Sequence, residues 1–490
     1  MNPLKPQDFL YLGPLLVLLV FGLLLVLGEA FATKKQRGFL MQLTVMGCVM
    51  TIIACVVTWR ALEPGQSVSM FSGMLVADRM GMFLIALFSG TTALIAMLST
   101  AHQKEYEWEM GEFYALLVLA TSGMAMIAMS GDLIMMFIGI ETMSLAVYVM
   151  TAARRNSKAG SEAAMKYFLM GAFASGFLVY GMALLYGATG STNLMEIQLA
   201  LTTMETSSLS IAAIFLLIVA FGFKIAAIPF HMWAPDAYEG APTPVTGFMA
   251  AAVKTAAFAG MIRLFLVGLG GDIIPFGHMG WANIFGVIAA LTMTIANIAA
   301  LKQNNIKRML AYSSVAHAGV LLVGLIAAGM NPGGDGLSSV LFYLLAYSAA
   351  TVGAFGVVVW IGNRDRERVL LSDWYGLASF KPGVALAMTI FMLSFAGMPP
   401  TGGFFAKFAL FKSALIAHDE LLWLVVVGVL NSMISIYYYL KVVMAMYFRE
   451  PTGEFKPLSS APVSFVIVLC AVLVMHLGTM PSSWLGYLGL

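Results

Sequence analysis

The chain has 490 residues, of which 60% are hydrophobic and only 10% are charged, with a formal net charge of +2. Soluble domains carry roughly 25% charged residues, so this chain has too few charges to cover a water-exposed surface. The composition therefore excludes a soluble enzyme, a disordered chain and a nucleic-acid binder with a basic face. It predicts an all-α, polytopic membrane protein embedded in a lipid bilayer.

About fourteen segments are long and apolar enough to cross a bilayer, which takes about 20 residues of helix. In chain order they cover residues 9–30, 39–60, 79–100, 112–130, 132–152, 163–187, 209–228, 244–268, 280–300, 308–329, 337–361, 384–416 (interrupted), 421–447 and 461–487. The first segment is long and has no short basic leader, so no cleavable signal peptide is expected.

Lys and Arg fall in alternate loops between these segments, and basic loops stay in the cytoplasm. The intervening loops 188–208, 269–279 and 330–336 carry none. An even number of spans with this alternation predicts that both termini lie outside the cytoplasm of a bacterial cell membrane. The basic loop residues are Lys34, Lys35 and Arg37; Arg154, Arg155 and Lys158; Lys302, Lys307 and Arg308; Arg364, Arg366, Arg368 and Lys381; and Arg449 and Lys456.

Two proline-rich stretches break the pattern of apolar spans. Residues 229–244 read PFHMWAPDAYEGAPTP, and residues 397–403 read GMPPTGG. Proline removes an amide donor and clashes with the preceding helical turn, and freed backbone groups at membrane depth are tolerated only beside protein or a wet cavity. A simple loop is the alternative for the first stretch, but 384–416 is too long for one uninterrupted span. Paired interrupted helices point to a transport site between repeats.

Five charged residues lie inside apolar segments: Glu141, Lys166, Lys224, Lys254 and Lys407. A charge at the centre of a membrane helix costs roughly 2.5–3.5 kcal/mol, so a set of five indicates function. Lys166 lies near a helix start, and snorkelling to the surface is its alternative explanation. For Lys224 the alternative is a cap on the proline break that follows it.

Buried amines and carboxyls can exchange protons, because desolvation lowers the pKa of Lys and raises that of Glu. A Lys–Glu pair that closes and opens is therefore a proton switch. His231, in the first break, and His317, about ten residues into its span, are candidates to extend such a path. The alternative for each histidine is a satisfied core residue.

Motifs for bound cofactors are missing from the sequence. It contains no GxGxxG, P-loop or haem motif, so neither a redox cofactor nor a nucleotide site is expected. Cys48, Cys55 and Cys470 form no CxxC pattern, so neither a disulfide framework nor a metal site is expected.

Several motifs resemble the antiporter-like membrane subunits of respiratory complex I. They are the run FGFKIAAIPFHMWAPDAYEGAPTPVTGFMAAAVKTAAF and the segments GIETMSL, SEAAMKYF, NNIKRMLAYSSVAHAGV and AGMPPTGGFFAKF, all in the family's order. The resemblance covers nearly the whole chain and is strongest to the N-type branch of bacterial NADH:quinone oxidoreductase. The loop YEGAPTP, a lysine at Lys407 where M-type subunits carry Glu, and the expected lack of a long lateral helix favour that branch.

The resemblance implies two inverted five-helix repeats, each with one broken helix. The implied divisions are 1–111 for helices 1–3, 112–268 for the first repeat, 269–447 for the second, and 448–490 for helix 14. It also implies a proton channel through both halves. In that channel Glu141 pairs with Lys224, Lys254 connects the halves, and Lys407 is the terminal lysine. Lys166, His231 and His317 match assisting positions. The two halves need not work identically, since Lys224 precedes its helix break and Lys407 follows its own.

Three functions remain open from the sequence. The first is a non-redox, proton-translocating subunit of NADH:quinone oxidoreductase, with the other membrane subunits as partners. The second is a subunit of an Mrp-type cation/proton antiporter or a membrane-bound hydrogenase. A Na⁺ route would want more buried carboxylates than Glu141 supplies. The third is a structural subunit whose charges dock its neighbours.

Overall fold

The computed structural model describes residues 8–31, 38–108, 110–154, 156–203, 207–270, 280–362, 367–451, 458 and 460–489. The predicted loop cations Lys34, Lys35, Arg37, Arg155, Arg364, Arg366 and Lys456 lie outside these ranges. The structure is all-α except for one small hairpin, as the composition predicts.

The chain begins with three long helices and a hairpin: α1 (Asp8–Phe31), α2 (Gly38–Ala61), β1 (Ser67–Met70), β2 (Leu75–Asp78) and α3 (Arg79–Glu105). The strands pair antiparallel, with Ser67 opposite Asp78 and Met70 opposite Leu75. Asp78 then caps α3, because its side chain accepts a hydrogen bond from the Gly81 amide at 2.7 Å. The sequence did not predict this hairpin, whose strands are only four residues long.

The next group of helices contains the first break. It comprises α4 (Glu112–Ala128), α5 (Leu133–Thr151), α6 (Lys158–Thr189), α7 (Leu194–Thr203), α8 (Ser208–Lys224) and α9 (Trp233–Gly240). One continuous rod, Thr243–Gly268, follows. It consists of α10 (Thr243–Phe248), a π-helical turn (Met249–Val253), α11 (Lys254–Met261) and a second π-helical turn (Ile262–Gly268).

The last group contains the second break. It comprises α12 (Trp281–Leu301), α13 (Ile306–Met330), α14 (Gly336–Ile361), α15 (Leu377–Phe380), α16 (Pro382–Ala396), α17 (Gly402–Ala417), α18 (Leu422–Phe448), α19 (Ala461–Thr479) and α20 (Pro481–Leu488). Short 3₁₀ turns cover Leu371–Trp374 and Asp419–Leu421.

The predicted spans are found with small shifts. Eleven described helices are long and apolar enough to cross a membrane, and three shorter apolar helices (Glu112–Ala128, Ser208–Lys224 and Pro382–Ala396) complete the predicted fourteen. The predicted span 209–228 is wrong at its end, since α8 stops at Lys224, before a residue of positive φ (Ala226) and Pro229. The predicted span 461–487 is also wrong, because Pro481 starts a separate helix after α19.

Burial shows which helices form the centre. Every residue in the most apolar 18-residue stretch of α14 is buried. The buried share of the corresponding stretch is 94% in α13 and 89% in the rod Thr243–Gly268. The corresponding value is only 33% for α1 and α6, whose outward faces are apolar and suit contact with lipid or another membrane protein. Lys254 and His317, in the middle of two of these central elements, are therefore far from any external surface.

Candidate functional site

The first break exposes the carbonyl end of α8. The indole Nε1 of Trp233 donates to the Phe223 carbonyl oxygen at 3.1 Å, and the Ile228 amide donates to the Thr292 hydroxyl on α12 at 3.0 Å. These bonds satisfy backbone groups that the proline-containing break releases. Lys224, the last residue of α8, is therefore not needed as a cap.

Lys224 instead points at α5. Its Nζ donates to the Ser144 hydroxyl at 2.9 Å, and Lys224 is buried. Glu141 lies one turn before Ser144 on α5 and accepts a short hydrogen bond from the Ser175 hydroxyl of α6. Lys224 thus reaches the face of α5 that carries Glu141, but each of the two residues is bonded to a serine rather than to the other. The implied pair is present here in an open arrangement.

Lys254 lies at the middle of the rod. It is 3% exposed, and its Nζ donates short hydrogen bonds to the carbonyl and the hydroxyl of Ser314 on α13. The π-helical turn Met249–Val253 ends immediately before it, and such turns occur frequently at functional sites. Lys254 therefore joins the rod to α13 through neutral oxygens.

His317 lies on α13 between two tyrosines. Its Nδ1 is 2.6 Å from the Tyr343 hydroxyl of α14, and its Nε2 is 3.1 Å from the Tyr439 hydroxyl of α18. The Tyr439 hydroxyl also lies 2.5 Å from the Ser313 hydroxyl. Because Ser313 and Ser314 are neighbours, the Lys254 contact and the His317 network meet on one turn of α13.

The second break presents a different arrangement. Gly397 (φ 80°) ends α16, and Lys407 on α17 donates to the carbonyls of Phe395 and Ala396 at 3.0 and 3.1 Å. Here the lysine itself caps the broken helix, where the helix dipole favours a cation. Lys407 and His317 line one small cavity, of about 10 Å³, with Asn297, Asn431 and Tyr438. That space fits the centre of about one water molecule.

The predicted site residues thus form two groups, one at each helix break. Glu141 and Lys224 form the first group, and Lys254, His317 and Lys407 form the second. None of the three buried lysines has a carboxylate partner among the residues that the structure describes; their partners are serine hydroxyls and backbone carbonyls. Such neutral oxygens accept hydrogen bonds from an amine in either protonation state.

Lys166 and His231 lie apart from both groups. Lys166 has a side chain that is 46% exposed and pairs with Glu162 at 2.7 Å and Asp236 at 2.9 Å. Asp236 also pairs with Arg308 at 2.8 Å, and these cations hold the pKa of Asp236 below its usual range although burial opposes the shift. His231 is half-buried in the first break, and its Nδ1 has no hydrogen-bond partner among the described residues.

Sequence reasoning missed a buried ion pair between the rod and the hairpin. Arg263 is 4% exposed and donates to both carboxylate oxygens of Asp78, at 2.6 and 2.7 Å. It also donates to the Ala128 carbonyl. Because the guanidinium is paired with a carboxylate and also bonded to a backbone carbonyl, this charge is structural.

Sequence reasoning also gave no sign of a buried cluster of charged residues around Glu367. Lys307, predicted as a loop cation, is 1% exposed in its side chain and pairs with Glu367 at 3.1 Å; His102 contacts the same carboxylate at 2.8 Å. The Trp108 indole donates to His102 Nδ1 at 3.0 Å, so His102 Nε2 carries the hydrogen toward Glu367. Burial tends to raise the pKa of Glu367, but the charge of Lys307 and the bond from His102 outweigh it and lower that pKa.

Comparisons with known proteins agree with this architecture. The family model described as NADH:quinone oxidoreductase/Mrp antiporter, TM, matches residues 130–435. The NADH-quinone oxidoreductase subunit N of Trichlorobacter lovleyi is 42% identical over 477 residues, which cover 97% of this chain and 95% of that protein.

Solved structures share the fold. A chain of respiratory complex I from Thermus thermophilus superposes with a TM-score of 0.81 and 33% identity, covering 96% of this chain and 98% of that one. A chain of the Mrp complex from Dietzia sp. DQ12-45-1b superposes with a TM-score of 0.85 and 22% identity, covering 99% of this chain and 97% of that one. At this identity the likeness concerns the fold alone. The chain is a multi-pass membrane protein and belongs to the NADH:quinone oxidoreductase/Mrp antiporter membrane-subunit family, in its subunit N branch.

Proposed function

We propose that this chain is the proton-translocating N subunit of a bacterial NADH:quinone oxidoreductase. Protons pass along Glu141, Lys224, Lys254, His317 and Lys407, driven by quinone reduction in other subunits. The observation that carries the proposal is that Lys224, Lys254 and Lys407 are buried and that their hydrogen-bond partners among the described residues are all neutral oxygens. A buried amine without a counter-ion is costly to keep charged, and a purely structural lysine would be expected to have a carboxylate partner, as Arg263 does.

The open arrangement of Glu141 and Lys224 supplies the switch. Each side chain is held by a serine, so a modest movement of α5 relative to α8 would exchange those bonds for a direct ion pair. Closing the pair favours the protonated lysine, and opening it favours release of the proton. Redox-driven movement elsewhere in the complex would act by changing this balance.

The remaining details of the assignment follow the same logic. The subunit would have no catalytic activity of its own, since its role is to carry protons for reactions in partner subunits. Both termini would lie on the non-cytoplasmic side of the inner membrane, in keeping with the alternation of basic loops. The domains 112–268 and 269–447 would be the two inverted repeats, since each contains one broken helix with a lysine at or near the break. Lys166 would act by holding α9 through Asp236, and His231 by lining the first break.

An Mrp-type antiporter or hydrogenase subunit has less support. The Mrp chain resembles this one in fold at 22% identity, whereas the subunit N relative reaches 42%. A role in docking neighbouring subunits would explain the exposed charges around Asp236. It explains the buried lysines less well.

The experiment is proton translocation by the intact complex reconstituted in vesicles, with Glu141→Gln and Lys224→Met compared with Lys412→Met. Lys412 is exposed on α17 and is the matched control. The first two variants should assemble and lose proton translocation by a factor of about 10², while the control keeps it. Full translocation in both site variants would refute the proposal, and failure of both to assemble would favour the docking role.

A further inference from the structure

An apolar groove of about 450 Å³ runs along the outside of the subunit between α14, α16 and α19. Apart from Trp360, Lys381 and Ser464, the side chains that line it are aliphatic. Val468, in the α19 wall, is 61% exposed, so the groove opens sideways to the surroundings of the helices. Its volume lies within the range of small-molecule sites, about 300–1,000 Å³, and it can therefore hold a chain-like apolar molecule.

The groove has the length of one leaflet of a bilayer. It extends along α16 from Lys381 to Ile390, and along α19 from Ser464 to Val472. At 1.5 Å per residue these stretches are about 12–14 Å long, close to half of the hydrocarbon thickness of about 30 Å. An extended acyl chain that starts at the Lys381 end would therefore end near the middle of the membrane, as the chains of a single leaflet do.

The outer end of the groove, at Lys381, carries groups suited to a lipid headgroup. Lys381 immediately precedes α16 and is exposed, and none of the ion pairs among the described residues includes it. The N-terminus of α16 adds partial positive charge beside this ammonium group. Trp360 lies at the same end, and tryptophan is enriched at the membrane–water interface. A Cβ added to Gly383 would stand clear of every neighbouring element of the described chain, so this end is open.

We propose that the groove between α14, α16 and α19 is a binding site for an anionic phospholipid, with its phosphate at Lys381 and one acyl chain along α16 and α19. Lys381 belongs to a basic loop, so the lipid comes from the cytoplasmic leaflet, where lysines beside membrane helices attract anionic headgroups. The bound chain lies against α16, whose last carbonyls bind Lys407. The lipid therefore supports the half-helix that the second break leaves without a continuation. The binding site does not depend on the proposed proton path.

The test is photolabelling of the intact complex in phosphatidylcholine vesicles. The probe is a phosphatidylglycerol with a diazirine near the end of one acyl chain, added as a minor component. We expect labelling of the groove residues of α16 and α19 to saturate as the probe is increased, because a site is being filled. Labelling at Leu23, on the exposed face of α1, should only rise in proportion to the probe. Labelling of the groove that also rises without saturation would show ordinary surrounding lipid and overturn the proposal.

Two variants test the headgroup and chain contacts separately. Lys381→Gln should lower the saturable labelling about fivefold, the effect of losing one lysine beside an anionic lipid, whereas Lys302→Gln, an exposed lysine of another basic loop, should leave it unchanged. Ala471→Phe fills the groove and should abolish it. If Ala471→Phe does not assemble, Gly383→Phe blocks the open end instead.

Three results would overturn the lipid site. The first is wild-type labelling in Lys381→Gln, which would leave no phosphate contact at this lysine. The second is wild-type labelling in the groove-filling variant, which would place the probe elsewhere. The third is an unlabelled groove in the wild-type complex, which would show that a neighbouring protein covers it.

Discussion

Lys407 Nζ lies 3.0 Å from the Phe395 carbonyl oxygen, across the break between α16 and α17. In the first break the corresponding carbonyl, that of Phe223, is bonded by the Trp233 indole instead. In the proposed path the terminal lysine would therefore combine two roles, helix cap and proton carrier, that the first half would divide between Trp233 and Lys224. A proton released from Lys407 would weaken the cap, so this break is coupled to the charge of its lysine.

Lys407→Arg and Lys407→Met should separate these roles. Arginine keeps a permanent charge, so Lys407→Arg should preserve the cap and assembly but abolish release of the proton and therefore translocation. Lys407→Met should abolish translocation too. In addition it leaves the carbonyls of Phe395 and Ala396 without their donor, which should destabilise the subunit by about 1–3 kcal/mol. Thermal unfolding in detergent and proton translocation measure the two effects. Normal translocation by the arginine variant would contradict a carrier role.

Tyr439→Phe should interrupt the central network. The phenol is shared by Ser313 and His317, so its loss removes the hydroxyl between the Lys254 contact and the histidine. We expect translocation to fall by about tenfold or more with assembly unchanged. Tyr437→Phe, on an exposed position of the same helix, is the control. Equal translocation in the two variants would remove Tyr439 from the path.

Arg263→Met should act on stability alone. Removing one partner of a buried ion pair costs about 3–5 kcal/mol, because Asp78 and the Ala128 carbonyl lose their donor. The yield of assembled complex should fall, while translocation per assembled complex stays normal. Adding Asp78→Asn, which removes the unpaired charge but keeps the side-chain oxygen that caps α3, should restore part of the yield. Selective loss of translocation with normal yield would show that Arg263 belongs to the proton path.

The Glu367 cluster predicts acid sensitivity. The pKa of Glu367 is lowered in the folded protein, so this carboxylate contributes stability above its unfolded pKa, about 4.3. That contribution is lost as the pH falls below about 4.3 toward the lower folded pKa. Glu367→Gln should therefore lower the unfolding temperature at pH 7 and reduce its dependence on pH below about 5. If the unfolding temperature of Glu367→Gln fell with pH below about 5 as steeply as that of the wild type, the stabilising role of the Glu367 carboxylate would be contradicted.

Local patterns in the sequence predict some features and leave others hidden. Apolar length predicts the spans, proline predicts both breaks, and the energetic penalty of membrane charges identifies Lys224, Lys254 and Lys407. The partners of Lys224 and Lys254 are not predictable from spacing, because they come from distant helices: Ser144 is 80 residues from Lys224, and Ser314 is 60 residues from Lys254.

The most direct test of the account is proton translocation by the reconstituted complex carrying Lys254→Met. Lys254 lies buried at the middle of the rod Thr243–Gly268, and its partner among the described residues is Ser314. The account predicts an assembled complex whose translocation is lost, while Lys166→Met, at the exposed ion-pair cluster, keeps most of its translocation. Wild-type translocation by Lys254→Met would contradict a continuous path of buried amines through this subunit.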